Sequence, residues 1–356
     1  MEKYYHKLGS YQLMITSKYF DNINDFKNLE YATKKAKGNM EKFHFNPLSL
    51  TKETRKYFTS LETLHIYKRG DEEFRDEKFY KRILHYDIDY EEYLRKKQED
   101  DEYLNVILDK KSTEKMKEIP PGVTEIGNEC FSYQDDITEI VLPDNITSIG
   151  QNCFNENNGL SNVVLSSTLK KIKFGCFYDL SSLKELSIPG SVTSIDGVIC
   201  EKCSQLTSMI IPSEWHLFGN RYFNQRNKLC SFELPESVVV VNGEPIERNP
   251  IDKFDIPTYV TAIGDYAFIY DYQLKSIGIP TSVREIGCYA FAECKELRSI
   301  DISSVRRIGL KAFYGCISLE SIEIPTSVSA FGRGCFFGTG ITKQNYPKLP
   351  HHCFLP

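Results

Sequence analysis

The sequence lacks the features that mark two common destinations of a protein chain. No window approaches the roughly 18–20 consecutive apolar residues that a membrane-spanning helix needs. The first twenty residues, MEKYYHKLGSYQLMITSKYF, contain neither the apolar core nor the small-residue cleavage site of a secretory signal. From the sequence we therefore expect a cytoplasmic chain without a transmembrane segment.

Motifs of catalysis and cofactor binding are also missing. The chain contains no phosphate loop, no G-x-G-x-x-G dinucleotide motif, no G-x-S-x-G elbow and no H-E-x-x-H zinc motif. The seven histidines are scattered along the sequence. We therefore expect a protein that is not an enzyme and that holds no cofactor and no metal.

An excess of positive charge is absent as well. The chain has 44 Lys and Arg against 49 Asp and Glu, which gives a net charge of -5. Nucleic-acid binding usually requires a basic face. This composition gives no hint of a nucleic-acid partner, and we expect a protein partner instead.

The cysteine count argues against a disulfide framework. There are eleven cysteines, an odd number, and no secretory signal accompanies them, so we expect reduced thiols. The best candidate for a metal or redox site is Cys200-Glu-Lys-Cys203. A zinc site would need two further ligands at suitable spacing, and the sequence offers none near this pair.

What the chain does have is a repeat. An apolar residue followed by proline, or twice by serine, recurs at a step of 23 residues, shortened to 22 at three late positions. The pairs are Ile119-Pro120, Leu142-Pro143, Leu165-Ser166, Ile188-Pro189, Ile211-Pro212, Leu234-Pro235, Ile256-Pro257, Ile279-Pro280, Ile302-Ser303, Ile324-Pro325 and Tyr346-Pro347. Such self-similarity predicts a solenoid of about ten units, in which each unit packs on its neighbours.

Each unit has the form I-P-x-S-V-x-x-I-G-x-x-A/C-F-x-x-x-x-x-L-x-x-I-x, as in IPTSVREIGCYAFAECKELRSID. The L-x-x-I-x-I segment predicts a strand with its apolar side chains inward, which proline ends because it has no N–H to donate. The V-x-x-I-G segment predicts a second short strand, and the A/C-F pair predicts a turn. Units five and six, IPSEWHLFGNRYF and LPESVVVVNGEPI, lose part of this pattern.

This repeat resembles the BspA-type, or Treponema pallidum-type, leucine-rich repeat over residues 119–346. The resemblance implies an α+β class protein, a β-rich leucine-rich-repeat solenoid that binds another protein without catalysing a reaction. It also implies a surface-antigen or adhesin-like role at the cell surface, whereas the missing export signal points to the cytoplasm. Both locations stay open at this point.

Most of the cysteines fall at two positions of the repeat unit. One position holds either cysteine or alanine: Cys130, Cys153, Cys176, Cys335, Ala267, Ala290 and Ala312. The other holds Cys203, Cys294 and Cys316, while Cys200 takes the phenylalanine position. Exchange with alanine indicates a small buried site, which a ladder of metal ligands would not tolerate. We therefore expect these cysteines to be core residues, and we expect Cys288, at a variable position, to be exposed.

A different composition precedes the repeats. The stretch LGSYQLMITSKYFDNINDFKNLEYATKK has helical spacing and resembles an F-box, with Gly9, Phe26 and Thr33 in place of the usual proline, leucine and cysteine. This resemblance implies an alternative function, an intracellular substrate adaptor of a ubiquitin ligase. In that case Leu13 and Phe20 are the candidate docking residues.

The sequence predicts three segments of unequal length. Leu61–Tyr67 has the L-x-x-L-x-I form of the repeat strands, and residues 68–118, rich in mixed charges, predict helix and linker. We therefore expect an N-terminal, mainly helical capping region over 1–118, the solenoid over 119–346, and a C-terminal cap or tail over 347–356.

The outward positions of the L-x-x-I-x-I strands are the candidate binding surface. The position between the last two inward residues gives the column Val141, Val164, Ser187, Ile210, Glu233, Asp255, Gly278, Asp301, Glu323 and Asn345. We expect an apolar patch on Val141, Val164 and Ile210, followed by an acidic track on Glu233, Asp255, Asp301 and Glu323. The alternative is a set of solvated strand residues that keep an exposed sheet soluble.

The last residues, Cys353-Phe-Leu-Pro356, place a cysteine fourth from the end, as in prenylated chains. Membrane anchoring would follow only if Cys353 carried a lipid. Otherwise Phe354 and Leu355 would cap the last coil. We expect a monomer whose partner protein the sequence does not name.

Overall fold

The computed structural model describes residues 8–113, 116, 118–213, 215–218, 221–225, 228–246 and 256–356. The chain divides into two compact units, Met1–Ile107 and Leu108–Pro356, which we call the N-terminal unit and the solenoid unit. Within the described residues, every helix is too short or too polar to cross a bilayer.

The N-terminal unit begins with short helices around a cluster of phenylalanines. The helices are α1 (Ser10–Ser17) and α2 (Ile23–Ala32), followed by 3-10 turns at Lys34–Ala36, Met40–Lys42 and Arg55–Tyr57. Asn22 caps α2 by accepting hydrogen bonds from the backbone N–H groups of Asn24 and Asp25. The ring of Phe26 is fully buried against Phe20, Phe43 and Phe58 in edge-to-face contacts of 5.1, 5.9 and 5.7 Å between ring centroids.

The rest of this unit forms parallel strands, with one strand inside the segment Leu61–Tyr67 and both strands and a helix in the charged segment that follows. The elements are β1 (Thr63–Ile66), β2 (Lys81–Leu84), β3 (Ile88–Asp89), α3 (Tyr90–Lys96), β4 (Asp101–Tyr103) and β5 (Val106–Leu108). Strands β1, β2 and β4 pair in parallel, and β3 pairs with β5. The sequence does not indicate the strands after β1 because it is rich in charge there and one inward position holds Arg82. The guanidinium of Arg82 donates to the carbonyls of Phe74 and Glu77.

The solenoid unit has two sets of parallel strands. After a short helix, α4 (Lys110–Thr113), the V-x-x-I-G segments form one sheet, which we call the back sheet. Among the described residues of the solenoid unit, the consecutive parallel strands of this sheet are β6 (Glu125–Ile126), β8 (Ser148–Ile149), β10 (Lys171–Ile172), β12 (Ser194–Gly197), β16 (Lys228–Glu233), β19 (Ala262–Ile263), β21 (Glu285–Ile286), β23 (Arg307–Ile308) and β24 (Ala330–Phe331).

The L-x-x-I-x-I segments form shorter parallel sheets, whose outward side we call the front face. These segments form β7 (Glu139–Val141), β9 (Asn162–Val164), β11 (Glu185–Ser187), β13 (Ser208–Ile210), β20 (Ser276–Ile277) and β22 (Ser299–Ile300). A further strand, β17 (Val240–Val241), lies outside these segments and joins the same set by pairing with β13. The pairs are β7 with β9, β11 with β13, β13 with β17, and β20 with β22. The middle residue of each three-residue strand is buried and the flanking ones point outward.

The period fails where the motif weakens, between Pro212 and Ile256. Two further strands, β14 (Trp215–Phe218) and β15 (Arg221–Gln225), pair antiparallel with each other, and β15 pairs antiparallel with β16. Strand β16 pairs in parallel with β12 on one side and with β19 on the other. A second small element, β18 (Glu244–Pro245), pairs antiparallel with β17. The segment between Pro212 and Ile256, which we call the insert, therefore supplies one described back-sheet strand where the 23-residue step predicts two.

Stacked phenylalanine rings form the axis of the core. The rings of Phe131, Phe154 and Phe177 stack at 5.7 Å, and a second stack runs through Phe268, Phe291, Phe313 and Phe336 at 5.1 to 5.7 Å. Each ring is at most 1% exposed. Within the insert, Phe223 takes the place of the missing ring and contacts Phe268 at 5.4 Å. Burial of these rings and of the aliphatic residues around them holds the coils together.

Glycine occupies the last position of the V-x-x-I-G segment for a steric reason. A Cβ on Gly309 would lie 2.5 Å from the carbonyl carbon of Gly287, and one on Gly332 would lie 2.3 Å from the carbonyl carbon of Gly309. Successive coils approach each other closely at this point, and no larger residue fits without a shift of the backbone. The glycine thus sets the spacing of the coils.

Candidate protein-binding face

The apolar patch expected on the front face is present as a line of exposed aliphatic side chains. Val141, Val164 and Ile210 are 55%, 45% and 46% exposed, whereas the inward residue of each strand is buried. Val141 and Val164 are direct neighbours across the β7–β9 pair, and Ser187 is the neighbour of Ile210 across the β11–β13 pair. Parallel pairing in register places these side chains on the same side of adjacent strands.

The front sheet continues from β13 to β17, and the sequence does not assign this strand, or the valine before it, to the front sheet. Val239 donates its N–H to the carbonyl of Thr207, and Val240 pairs with Ser208 across β13 and β17. Val239 is 57% exposed. The run of four valines in LPESVVVVNGEPI was the available signal, but the regular 23-residue register assigned these positions to the other strand of the unit.

Acidic and polar groups border the patch. Glu139 accepts a hydrogen bond of 2.6 Å from the side chain of Asn162 on the neighbouring strand, and Glu185 is exposed on β11. A shallow groove of about 510 Å³ lies beside β7 and ends at Val141 and Pro143. It is lined mainly by Glu118, Ile119 and the residues from Asp136 to Ile140. The lining of the groove therefore includes carboxylates and one residue of the apolar patch, Val141.

The acidic track differs from the prediction at Glu233. The next position in register after Ile210 is Asn242, whose side chain bonds both the N–H and the carbonyl of Ile211 at 2.8 and 3.0 Å. Glu233 lies instead at the end of β16 in the back sheet, where its carboxylate accepts from Arg221 at 3.2 Å. The placement of Glu233 in the front column is wrong because the hairpin of the insert shifts the register.

Arg221 ties Glu233 into the protein. Its side chain is only 4% exposed and also donates to the carbonyl of Ile269 and to the hydroxyl of Ser231. Burial raises the pKa of Glu233, while the guanidinium of Arg221 lowers it. Glu233 thus forms a structural ion pair, which the sequence did not indicate because Arg221 lies outside the repeat pattern.

The remaining acidic candidates have separate outcomes. Asp301 and Glu323 are exposed on the front face, and Asp301 accepts a hydrogen bond of 2.8 Å from the N–H of Ser303. Asp255 lies outside the described residues. Two carboxylates of the predicted track, one on each of two successive coils, thus stand on this face among the described residues.

The cysteines lie in the core at the positions that the repeat predicts. Cys130, Cys153, Cys176, Cys200 and Cys335 are at most 1% exposed. The second cysteine position supplies a hydrogen-bond donor: Cys203, Cys294 and Cys316 donate to the phenylalanine carbonyl of the preceding coil at 2.9 to 3.0 Å. Cys288 is half-buried, whereas the variability of its position suggested full exposure.

Burial makes the thiols of this set unreactive. It raises the pKa of Cys203 to about 11 and that of Cys130 and Cys316 to about 12, so these groups stay protonated at neutral pH. In the described part of the chain, no three His, Cys, Asp or Glu residues are arranged to hold a metal ion. The core positions of Cys200 and Cys203 favour packing over zinc or redox chemistry.

Cys353 belongs to a cap on the last coil. It lies in a 3-10 turn, His351–Phe354, and its carbonyl accepts from the N–H of Phe336 at 2.9 Å. The same bond joins Phe313 to Cys335 one coil earlier, so the turn takes the place of a further coil. The side chain of Cys353 is fully buried, which favours the capping role over lipidation.

The two residues expected to dock a ligase are packed within the N-terminal unit. Leu13 and Phe20 are half-buried, and the ring of Phe20 contacts Phe26. The exposed apolar side chains on and beside α1 are different ones, namely Leu8, Tyr11, Ile15 and Tyr19. Tyr11 and Ile15, four residues apart, lie on one side of α1, while Leu8 precedes the helix and Tyr19 follows it.

The chain is similar to several solved structures and matches one family model. No curated protein is significantly similar in sequence. Among solved structures, the chain is similar to the pneumococcal vaccine antigen PcpA, with 20% identity, a TM-score of 0.41, and coverage of 79% of this chain and 58% of that chain. It is also similar to a leucine rich cell surface protein from Faecalibacterium prausnitzii, with 21% identity, a TM-score of 0.39, and coverage of 78% and 65%. The chain thus spans less than two thirds of the length of either protein.

A third similar structure is the leucine rich repeat protein of T. pallidum, with 20% identity, a TM-score of 0.24, and coverage of 69% of this chain and 83% of that chain. The family model for the BspA type leucine rich repeat region, in six copies, matches residues 124–249 and 246–354. These matches take in more than half of the chain. The chain belongs to the family of BspA type leucine-rich-repeat proteins.

Proposed function

We propose that this chain is a non-enzymatic scaffold that binds a protein partner on its front face. The family supports the general role, because leucine-rich-repeat proteins typically act in protein interaction. The observation that carries the proposal is the line of exposed side chains at Val141, Val164 and Ile210. A rigid, stacked sheet that presents branched aliphatic residues outward loses free energy when a partner removes them from water.

The groups around the patch indicate the chemistry of the partner. Glu139 and Glu185 border it on β7 and β11, and Asp301 and Glu323 follow on the later coils of the same face. An acidic border favours a partner with an apolar centre and basic residues around it. Binding to such a partner would weaken as salt concentration rises, because the exposed charges would be screened.

Substitution of the patch tests this function. A chain with Val141→Ser, Val164→Ser and Ile210→Ser should bind its partner at least about tenfold more weakly, since each lost aliphatic contact contributes about 1 kcal/mol or more at a buried interface. Leu310→Ser with Ile317→Ser is the matched control, because these aliphatic side chains are also exposed, at 39% and 63%, and are not part of the patch.

The measurement is made on a partner captured by crosslinking and mass spectrometry from the cells that make the protein. The dissociation constant is then determined for the purified pair with the wild-type chain, the patch variant and the control. Equal affinity for all three would reject the front face as the binding surface, whereas loss in the patch variant alone supports it.

For location, we propose an adhesin-like or surface-antigen role. The family resemblance supports it, and the extended front face is suited to a large protein ligand. Protease treatment of intact cells tests it: the chain should be degraded while a cytoplasmic marker survives. Complete protection of the chain would reject the surface role and leave an intracellular scaffold.

A second candidate function is favoured by one observation in the N-terminal unit. The exposed side of α1, with Tyr11 and Ile15, is the kind of surface by which an F-box-like adaptor would dock a ubiquitin-ligase scaffold. Tyr11→Ser with Ile15→Ser should then abolish co-purification of a ligase scaffold. Tyr31→Ser, which alters another exposed tyrosine outside α1, should leave it intact. Failure of the wild-type chain to co-purify a scaffold would remove this candidate.

A further inference from the structure

Four rings lie together on the outward side of the parallel strands of the N-terminal unit. Phe45, His65, Tyr67 and His85 form this group, which we call the ring cluster. Nδ1 of His65 lies 2.8 Å from Nε2 of His85, and the two imidazoles lie edge to edge with centroids 4.9 Å apart. Tyr67 stacks on His85 at 4.8 Å, and Phe45 lies 5.3 Å from His65 on the other side. The sequence analysis had treated these histidines as scattered.

The backbone around the pair is held on both strands. The side chain of Asn46 accepts from the N–H of His65 and donates to its carbonyl, each at 2.7 Å. The N–H of His85 donates to the carbonyl of Ile66 at 2.9 Å, and Asn105 donates to the carbonyl of His85 at 2.9 Å. Because both backbones are held in this way, the two imidazoles stay at neighbouring positions as long as β1 and β2 remain paired, and repulsion between the rings would act against that pairing.

The distance between the two nitrogens limits the charge that the pair can carry. A hydrogen bond between imidazoles needs a donor on one ring and a lone pair on the other, so at least one ring of the bonded pair is uncharged. Two imidazolium ions at this distance would repel each other and would have no acceptor between them. Full protonation therefore breaks the bond that the folded unit contains.

We propose that the His65–His85 pair is an acid-sensitive latch, which holds β1 against β2 at neutral pH and weakens this pairing when both rings become protonated.

The groups that face the histidine pair set the pH range over which the two rings become protonated. Burial and the imidazole of His85 lower the pKa of His65 from 6.5 to about 4, and burial also lowers the pKa of His85. Glu102 on β4 opposes both shifts, but its carboxylate is paired with Lys81 on β2. The remaining neighbour is Tyr67, whose hydroxyl donates to the carbonyl of Asn46 and carries no charge.

The direction of the effect follows from these shifts. Since the histidines bind protons less readily in the folded unit than in the unfolded chain, the unfolded chain takes up more protons between pH 6.5 and about 4. The latch is therefore fully effective above pH 6.5 and is lost as the pH falls toward 4. The paired carboxylate of Glu92, whose pKa is lowered by hydrogen bonds to Lys96 and Arg69, stays ionised through most of this range.

Hydrogen exchange on the full chain tests the latch. Amides of residues 61–67 should lose about tenfold in protection between about pH 7.5 and about pH 5, after correction for the intrinsic exchange rate and with allowance for the half-exposed rings. Amides of residues 281–300 in the solenoid unit, a segment without histidine, should change less than about twofold. Equal change in both segments, or no change in either, would overturn the proposal.

Two variants assign the effect to the pair. His85→Gln keeps a polar group but removes one titrating ring, so the loss of protection at low pH should shrink to less than about threefold. His44→Gln is the matched control, because His44 is an exposed histidine that pairs with Glu62 outside the ring cluster, and it should keep the full pH dependence. An unchanged pH dependence in His85→Gln would refute the latch.

A third measurement needs no variant and remains decisive if His85→Gln fails to fold. Imidazole nitrogen shifts of the wild-type chain should show His65 and His85 as a bonded neutral pair at neutral pH, with His65 gaining its proton below about pH 5. Independent titration of both rings near their ordinary value of 6.5 would contradict the proposal.

Discussion

The regular coils and the insert between Pro212 and Ile256 solve the same structural problem by different means. In the regular coils, equivalent phenylalanines stack with ring planes within 1 to 13° of parallel. In the insert, Trp215 meets Phe232 at 62°, and a buried arginine joins Glu233, Ser231 and Ile269. A repeat protein thus tolerates a coil without the repeat if that coil supplies a backbone strand and a ring at the required places.

The insert provides both the backbone strand and the ring that the neighbouring coils require. Strand β16 bonds to β12 and β19, so the back sheet continues across the insert. Phe223 contacts Phe268, so the second ring stack begins within the insert. Because each coil packs mainly on its neighbours, the fold depends on these local contacts and is insensitive to the sequence that provides them.

The largest effect is expected from removal of one stacked ring. Phe291→Ala should lower the free energy of unfolding of the solenoid unit by about 3–5 kcal/mol, because it leaves a cavity between Phe268 and Phe313. Phe223→Ala should cost a similar amount if the insert supplies an equivalent ring. Urea denaturation of the full chain measures both. A cost below about 1 kcal/mol for Phe223→Ala would show that the insert is not part of the stack.

The next largest effect concerns the ion pair of the insert, in which Arg221 is buried and Glu233 is partly exposed. Arg221→Ala should lower stability by about 3 kcal/mol, because it leaves Glu233 without its cation and the carbonyl of Ile269 without a donor. Glu233→Gln should cost less, about 1 kcal/mol, since an amide can still accept from Arg221. Urea denaturation with both variants tests this order. The reverse order would mean that the carboxylate, and not the guanidinium, holds the insert in place.

A glycine of the regular coils should show a smaller steric effect. Gly309→Ala should cost about 2–3 kcal/mol, because the new Cβ would lie 2.5 Å from the carbonyl carbon of Gly287 on the preceding coil. Gly278→Ala is the matched control, since a Cβ there would meet nothing within 4 Å, and it should change stability little. Thermal unfolding compares the two variants. Equal melting temperatures would contradict the spacing role of Gly309.

The smallest effect is expected at the position shared by cysteine and alanine. Cys153→Ala should lower stability by about 1 kcal/mol or less, because Ala290 fills the same position in a later coil without loss of burial. Cys153→Asp should be far more disruptive, since it places a charge in a fully buried site. Thermal unfolding of the two variants is the check. A large cost for Cys153→Ala would point to a role of the thiol beyond packing.

The regular coils can be predicted from sequence alone because each periodic residue type has one local reason. Glycine lets successive coils approach closely, alanine or cysteine fills a small buried site, and phenylalanine stacks on the next ring. The sequence located the insert, since S-V-x-x-I-G fails there, but it predicted one strand too many. The apolar-Pro pairs keep their step through Ile211, Leu234 and Ile256, yet a proline marks where a strand ends and not which strand it pairs with. For this reason Glu233 was assigned to the front column.

The strands of the N-terminal unit that follow β1 escaped prediction for a related reason. Strands β1, β2 and β4 start at residues 63, 81 and 101, so their step is not the 23 residues of the later repeats. Arg82 occupies an inward position that an apolar residue fills elsewhere. The contact between His65 and His85 could not be inferred because it depends on the pairing of β1 with β2, and the sequence does not indicate β2.

The proposed function depends most on the front face as a binding surface. The most direct measurement is the dissociation constant of the captured partner for the chain with Val141→Ser, Val164→Ser and Ile210→Ser, beside wild type and the Leu310→Ser, Ile317→Ser control. We predict at least about tenfold weaker binding for the patch variant and unchanged binding for the control. Unchanged affinity of the patch variant, with the fold intact by circular dichroism, would contradict the account.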